Sequence, residues 1–220
     1  MTKLLYNSFV LFLTYWVLAT SVNAQLPVVA PNVIRKFLSG NKSIVTDIIL
    51  IMETVVSPNA NYTCAKKALI ILAKLINRSL NISANRTHVG IVKYEETATV
   101  VLKLRAGNKI NIVTARLNTI VSTGGIPRLD RALALARNML MKAGRPGSQK
   151  KILIFTSTPS DQDPIPIAKA IKALGVQIFA APSTIDVKAT EILGVVSPLP
   201  INHIMFTTNY CGLVGAFSSF

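Results

Sequence analysis

The sequence predicts an α/β protein: a Rossmann-like, doubly wound, mostly parallel six-stranded sheet flanked by helices, with one antiparallel edge strand. Three observations carry this expectation. Ile48–Met52 is an unbroken apolar run rich in β-branched residues, too short for a buried helix, and reads as a strand covered on both faces. Ile152–Phe155 is a second such run. Around them, strand-like runs alternate with stretches of helical periodicity, and in such sheets ligands usually bind at the loops after the strands.

A length of 220 residues suits one domain behind a leader, with enough chain to bury a substantial core. A hydrophobic content of 50% against 15% charged residues excludes a disordered chain. The formal charge of +15 invites a nucleic-acid reading. The N-terminus argues against it. Lys3 precedes the largely apolar segment Phe9–Leu18, and Val22-Asn23-Ala24 offers small residues at a cleavage site. Residues 1–24 therefore read as a secretory signal peptide cut before Gln25, and a membrane anchor is disfavoured because Thr14, Thr20 and Ser21 interrupt an already short stretch. No later segment is long and apolar enough to span a bilayer. The expectation is a secreted chain with no nucleic-acid partner.

Residues 25–43, with Pro27 and Pro31, read as a short lead-in to a domain over 44–220. Five acceptor sequons, at Asn41, Asn61, Asn77, Asn81 and Asn85, crowd into residues 41–87 and point to N-glycosylation of a secreted protein. Asn209-Tyr-Cys is a poorer acceptor.

After the first strand, Pro58 and Asn59 make the stop. Asn61–Asn77 then places Cys64, Ala68, Ile71 and Leu75 on one helical face, with Lys66, Lys67 and Lys74 turned away. Asn77–Thr87 is polar and predicts an exposed loop. His88–Tyr94 and Glu96–Leu104 predict two strands joined by a tight turn, hence the antiparallel pair. Residues 108–121 predict a modest helix, and Leu129, Ala132, Leu133, Ala136 and Leu140 mark a stronger one. Ile165–Leu174 predicts a helix stopped by Gly175. Val176–Ala181 is a fifth strand, Asp186–Leu193 a short helix, His203–Thr207 a sixth strand and 209–218 a last helix. The glycines near residue 147 precede a strand and lack the spacing of a phosphate loop, which excludes that reading.

Three stretches together resemble the von Willebrand factor type A domain: Thr46–Ser57, Thr123-Gly-Gly-Ile-Pro-Arg-Leu-Asp, and Gly144-Arg-Pro-Gly running into Ile152–Ser157. Val89-Gly-Ile-Val-Lys-Tyr fits the family's second strand. The resemblance implies the fold just described and a metal-ion-dependent adhesion site holding Mg²⁺. It places the ligand positions at Glu53, Val55, Ser57, Ile126 and Ser157, where the family has Asp, Ser, Ser, Thr and Asp. The set is degenerate. Mg²⁺ needs hard oxygen ligands in near-octahedral geometry, and Val55 and Ile126 offer methyl groups while Glu53 is one methylene too long. Asp130 and Asp161 are in principle recruitable, but their spacing does not require it. The expectation is no metal and no cofactor.

Enzyme chemistry finds no footing, because His88 and His203 lie far apart in sequence and no nucleophile–base–acid set can be assembled from spacing. Resemblance instead implies an extracellular matrix or adhesion protein as partner. The charge supports a second reading, attachment to an acidic polysaccharide, through Lys66, Lys67, Arg86, Lys103, Arg105, Lys142, Arg145, Lys150 and Lys151. A purely structural role in the matrix is a third. Two cysteines in a secreted chain are expected to be oxidised. Because type A domains place the first and last helices side by side, the resemblance favours a Cys64–Cys211 bond over pairing between chains.

Overall fold

In the computed structural model the described residues are 31–40, 44–55, 60–183, 189–198, 202–207 and 209–220. The expected signal peptide, Asn41 and Ser57 lie outside them. Five strands, β1 (Thr46–Glu53), β2 (Thr87–Tyr94), β3 (Ala98–Leu102), β4 (Gln149–Thr156) and β5 (Gln177–Pro182), form one sheet ordered β3-β2-β1-β4-β5. All pairings are parallel except β2 with β3. β1 is buried along its whole length, as a central strand with both faces covered must be. Its alternate residues divide the core. Ile48, Leu50 and Met52 join one apolar layer, and Ile49 and Ile51 the other.

The helices cover both faces: α1 (Pro31–Leu38), α2 (Ala60–Leu80), α3 (Ile110–Asn118), α4 (Leu129–Ala143), α5 (Ile165–Ala173), α6 (Ala189–Val195) and α7 (Tyr210–Ser218). The N-terminal ends of the parallel strands form one end of the molecule, the base. Their C-terminal ends form the other, the crown, where a type A domain carries its site. Gly90 in β2 shows how tightly the layers meet: a Cβ there would stand 2.6 Å from Ile49 and 2.8 Å from Met139 of α4.

The sixth strand expected at His203–Thr207 is reduced, among the described residues, to a single bridge between Ile204 and Ala180. Its backbone bonds are Ala180 N–H to the His203 carbonyl and Met205 N–H to the Ala180 carbonyl, 2.9 and 2.8 Å. Beyond these the Thr207 hydroxyl bonds the Asn209 carbonyl and turns the chain into α7. The expected loop over 77–87 is also shorter, because α2 continues to Leu80 and places Asn77 in its last turn.

The lead-in contains a helix that the sequence reading did not anticipate. Pro31 opens α1, a position where its missing N–H costs nothing. Val33, Ile34 and Phe37 are buried, and Phe37 meets the Phe179 ring edge-on at 5.1 Å. The helix is closed by Lys151 of β4. Fully buried, its Nζ donates to the carbonyls of Phe37 (2.6 Å) and Ser39, groups a helix end otherwise leaves unpaired. Burial pushes the Lys151 pKa down from 10.5 to about 8. The sign follows directly. Below pH 8 both folded and unfolded chains carry the proton, and the cost of a buried ammonium is present in full. Between pH 8 and 10.5 the folded chain loses the proton first, so stability rises with pH. Buried Tyr94 and Tyr210, whose pKa values are raised, oppose this above pH 10. Unfolding free energy is therefore expected to climb between pH 8 and 10, and Lys151→Met to flatten that climb. An equal slope in both proteins would refute the assignment.

Candidate functional site

At the crown, β1 and β4 end side by side, with Met52 in register with Phe155. The next residue of β1, Glu53, is 5% exposed and points at the turn that follows β4. Its carboxylate accepts five hydrogen bonds of 3.2 Å or less from that turn. Oε2 takes the Thr156 hydroxyl (2.9 Å), the Ser157 N–H (2.7 Å) and the Thr158 N–H (3.2 Å). Oε1 takes the hydroxyls of Ser157 (3.0 Å) and Thr158 (2.6 Å). A longer contact of 3.4 Å comes from Tyr94, whose phenol is pushed well above its usual pKa by burial and by the Glu53 charge. A carboxylate has about four lone-pair sites, so this one is saturated. The extra methylene of Glu relative to Asp carries the oxygens across the gap to β4. Two backbone N–H groups and three hydroxyls supply the donors for this buried carboxylate.

Of the other positions the resemblance assigned to a metal, the described ones do not converge on this carboxylate as oxygen ligands. Val55 is half-buried and offers methyl groups. Ile126 is 51% exposed on the loop before α4. Ser157 donates to Glu53. Asp130 is held by Arg128 in two bonds of 2.8 Å, which keep its carboxyl below the usual range. Asp161 accepts from Gln162, and its N–H bonds the Pro127 carbonyl. Six-coordinate Mg²⁺ wants several free hard oxygens. The described residues do not fit that need.

The loop before α4 is pinned over the crown. Thr123 and Gly124 N–H groups and the Ser122 hydroxyl all bond the Thr54 carbonyl, at 3.1, 3.3 and 3.2 Å. Gly124 and Gly125 take φ of +72° and +105°, which only glycine adopts without strain. This pinning brings Val55 beside the loop that carries Val121, 59% exposed, and Ile126.

Cys64 in the second turn of α2 is bonded to Cys211 in the first turn of α7, with Cα atoms 4.8 Å apart and a sequence separation of 147. Asn61 reinforces the bond: its Oδ1 accepts from the Tyr210 N–H (2.7 Å) and its Nδ2 donates to Ser183 (3.2 Å). A glycan on that nitrogen would displace the second bond. Asn81 and Asn85 are exposed near the base, and Asn77 is half-buried with its Oδ1 bonded to the Ile82 N–H.

The nine basic candidates separate into two groups. Lys66 caps α3, donating to the carbonyls of Asn118 (2.9 Å) and Ile120 (2.8 Å). Arg145 clamps fully buried Asp47 with bonds of 2.9 and 2.7 Å and also reaches the carbonyls of Thr46 and Arg86. Lys150 bonds the carbonyls of Arg145 and Ser148. Lys151, nominated for a polyanion surface, is instead sealed under α1, where no polyanion can reach it. Lys67, Arg86, Lys103, Arg105 and Lys142 are exposed. Lys67 lies toward the crown, and the other four lie toward the base. The histidines do not meet: His88 opens β2 and bonds the Ala84 carbonyl (3.0 Å), while His203 packs on Phe179 beyond β5.

Sequence reasoning missed Thr156 and Thr158. The run Thr156-Ser157-Thr158, three hydroxyls directly after a buried strand, was the available signal.

The sequence profile of the von Willebrand factor type A domain matches residues 47–202. No curated protein sequence matches the chain. Among solved structures, proximal thread matrix protein 1 from the mussel byssus, with a zinc-occupied metal-ion-dependent adhesion motif, aligns with TM-score 0.71 at 17% identity. That alignment covers 81% of this chain and 45% of the other. A second crystal form of the same mussel protein gives 0.70 at 19%, covering 80% and 47%. The chain thus spans about half the length of those solved chains, and at such identities the likeness is one of fold.

Proposed function

Because the chain belongs to the von Willebrand factor type A family, we propose that it is a secreted binding module that holds an extracellular matrix or adhesion protein at its crown without a bridging Mg²⁺. On this reading residues 1–24 are a signal peptide, and the metal-ion-dependent adhesion site is degenerate. The observation that carries it is Glu53: the carboxylate that would lead a metal shell is consumed by its own neighbours. Val55, Val121 and Ile126 supply apolar contact area instead, the kind of surface that anchors a protein ligand. Likeness in fold to a byssus matrix protein supports a matrix setting. A catalytic role has no support, since the histidines are apart and both cysteines are bonded.

Millimolar Mg²⁺ or Mn²⁺ is expected to leave the melting temperature unchanged. Adhesion to decellularised matrix is expected to survive EDTA and to fall with Ile126→Asp. A saturable rise in melting temperature with either ion, absent in Glu53→Ala, would refute the metal-free reading. The second reading, capture of an acidic polysaccharide, is favoured by a separate observation: four of the exposed basic candidates lie toward the end opposite the crown.

A further inference from the structure

Charge in this domain is sorted by end. Among the described residues the carboxylates other than Asp47 all sit at the crown, either after the C-terminal end of a strand or in the first turn of the helix that follows. Asp47 is the exception, and it is fully buried and clamped by Arg145. The base carries cations from unrelated segments. Arg78 is in the last turn of α2, Arg86 precedes β2, Lys103 and Arg105 flank the turn after β3, Lys109 begins α3 and Lys142 ends α4. All six are exposed. Val89 N–H bonds the Gly107 carbonyl at 2.9 Å, which brings the turn after β3 against the start of β2. Apart from buried Asp47, no side-chain carboxylate of the described residues stands among these cations.

The edge of the base holds a largely apolar cleft of about 160 Å³ between the last turns of α4 and α5, walled by Leu140, Met141, Ile171, Leu174 and Val176 with Arg137 and Lys150. The Arg137 Nε is buried there with no hydrogen-bond partner among the described residues. Shut off from solvent, that atom would not meet an anion directly; the exposed cations of the base would.

We propose that the base is a binding surface for a linear sulfated polysaccharide, held by the exposed cations Arg78, Arg86, Lys103, Arg105, Lys109 and Lys142. This rests on the second reading above and gives it a place and a ligand class. A repeating polyanion suits the surface because the cations are spread across one end instead of gathered in a pocket. Head-to-tail pairing of two copies suits it less. The crown carboxylates are largely engaged: Glu53 is saturated, Asp130 is paired with Arg128, and Glu191 accepts from the Ser160 N–H. A chain of formal charge +15 also repels itself.

The test is binding of the full secreted chain to heparin, in both its glycosylated and deglycosylated forms, by affinity elution and titration. The base variant Lys103→Glu/Arg105→Glu/Lys142→Glu is compared with a crown-side variant of equal charge change, Lys67→Glu/Lys93→Glu/Arg116→Glu. Both are first checked for an unchanged melting temperature. The base variant is expected to bind at least about tenfold more weakly at physiological salt and to show a shallower salt dependence, the crown-side variant to change less than about twofold. Equal losses in the two triple variants would overturn the placement at the base while leaving polyanion binding intact. No retention of the parent chain at physiological salt would overturn both. Tighter binding to phosphatidylserine vesicles than to heparin would overturn the polysaccharide.

Discussion

Replacing Cys64 and Cys211 together by serine is expected to lower the unfolding free energy by about 5 kcal/mol, because the bond closes a loop of 147 residues in the unfolded chain. For a domain of this size that corresponds to a fall in melting temperature of roughly 10–20 °C. The packing lost is small. Cys211 is exposed and Cys64 half-buried, so the effect comes from the cross-link and not from a cavity. The reduced wild-type protein is expected to match the double variant. A fall of less than about 1 kcal/mol would show that the denatured chain keeps α2 and α7 together without the bond. A dimer band that collapses on reduction would show that the cysteines pair between chains.

Glu53→Ala is expected to cost about 3–5 kcal/mol, since it leaves the N–H groups of Ser157 and Thr158 and three hydroxyls aimed at an empty space. Glu53→Gln keeps the volume but turns an amide NH₂ toward donors, and about 2–3 kcal/mol is expected to be lost. Chemical denaturation of the two variants against the parent measures both. A melting temperature unchanged in Glu53→Ala would mean that the carboxylate is replaced by water at no cost, and the filled-crown reading would fail with it. The combined change Glu53→Asp/Val55→Ser/Ser157→Asp withdraws the carboxylate and restores ligand types. It is expected to make the crown's stability respond to Mg²⁺ where the parent's does not.

Much of the fold could be read from the chain, and the limits have physical causes. β1 and β4 were legible because central parallel strands are continuous apolar runs, and no surface alternation obscures them. The end of α2 was misplaced because Asn77–Leu80 is polar on the outside of a helix just as it would be in a loop. The sixth strand failed because two backbone bonds at Ala180 are all that the run His203–Thr207 makes with the sheet. α1 was readable in principle, from Val33, Ile34 and Phe37, but eight residues behind two prolines suggested a linker. At the crown, the substitutions at Val55, Ile126 and Ser157 were visible as changed letters. That Glu53 would fill the gap depended on the hydroxyl run 156–158 facing it across two strands, which no local pattern encodes. Lys151 shows the same limit from the other side, since a lysine at a strand start looks solvated until a helix end is found above it.

The cross-link between α2 and α7 also determines how the chain would carry a mechanical load. A pull applied at the two ends reaches Cys64 and Cys211 and passes through sulfur from one to the other. The 147-residue separation between them, ~500 Å of fully extended chain, is withheld from the stretch. The whole sheet lies inside that shielded span, apart from the first strand, whose β1 residues precede Cys64 and are held by β2 and β4 on either side. Tension would therefore peel α1 and then shear β1 out of the middle of the sheet, breaking two ladders of hydrogen bonds at once. Reduction would release the hidden length in one step, so the extensibility of any material built from this domain becomes a function of its redox state.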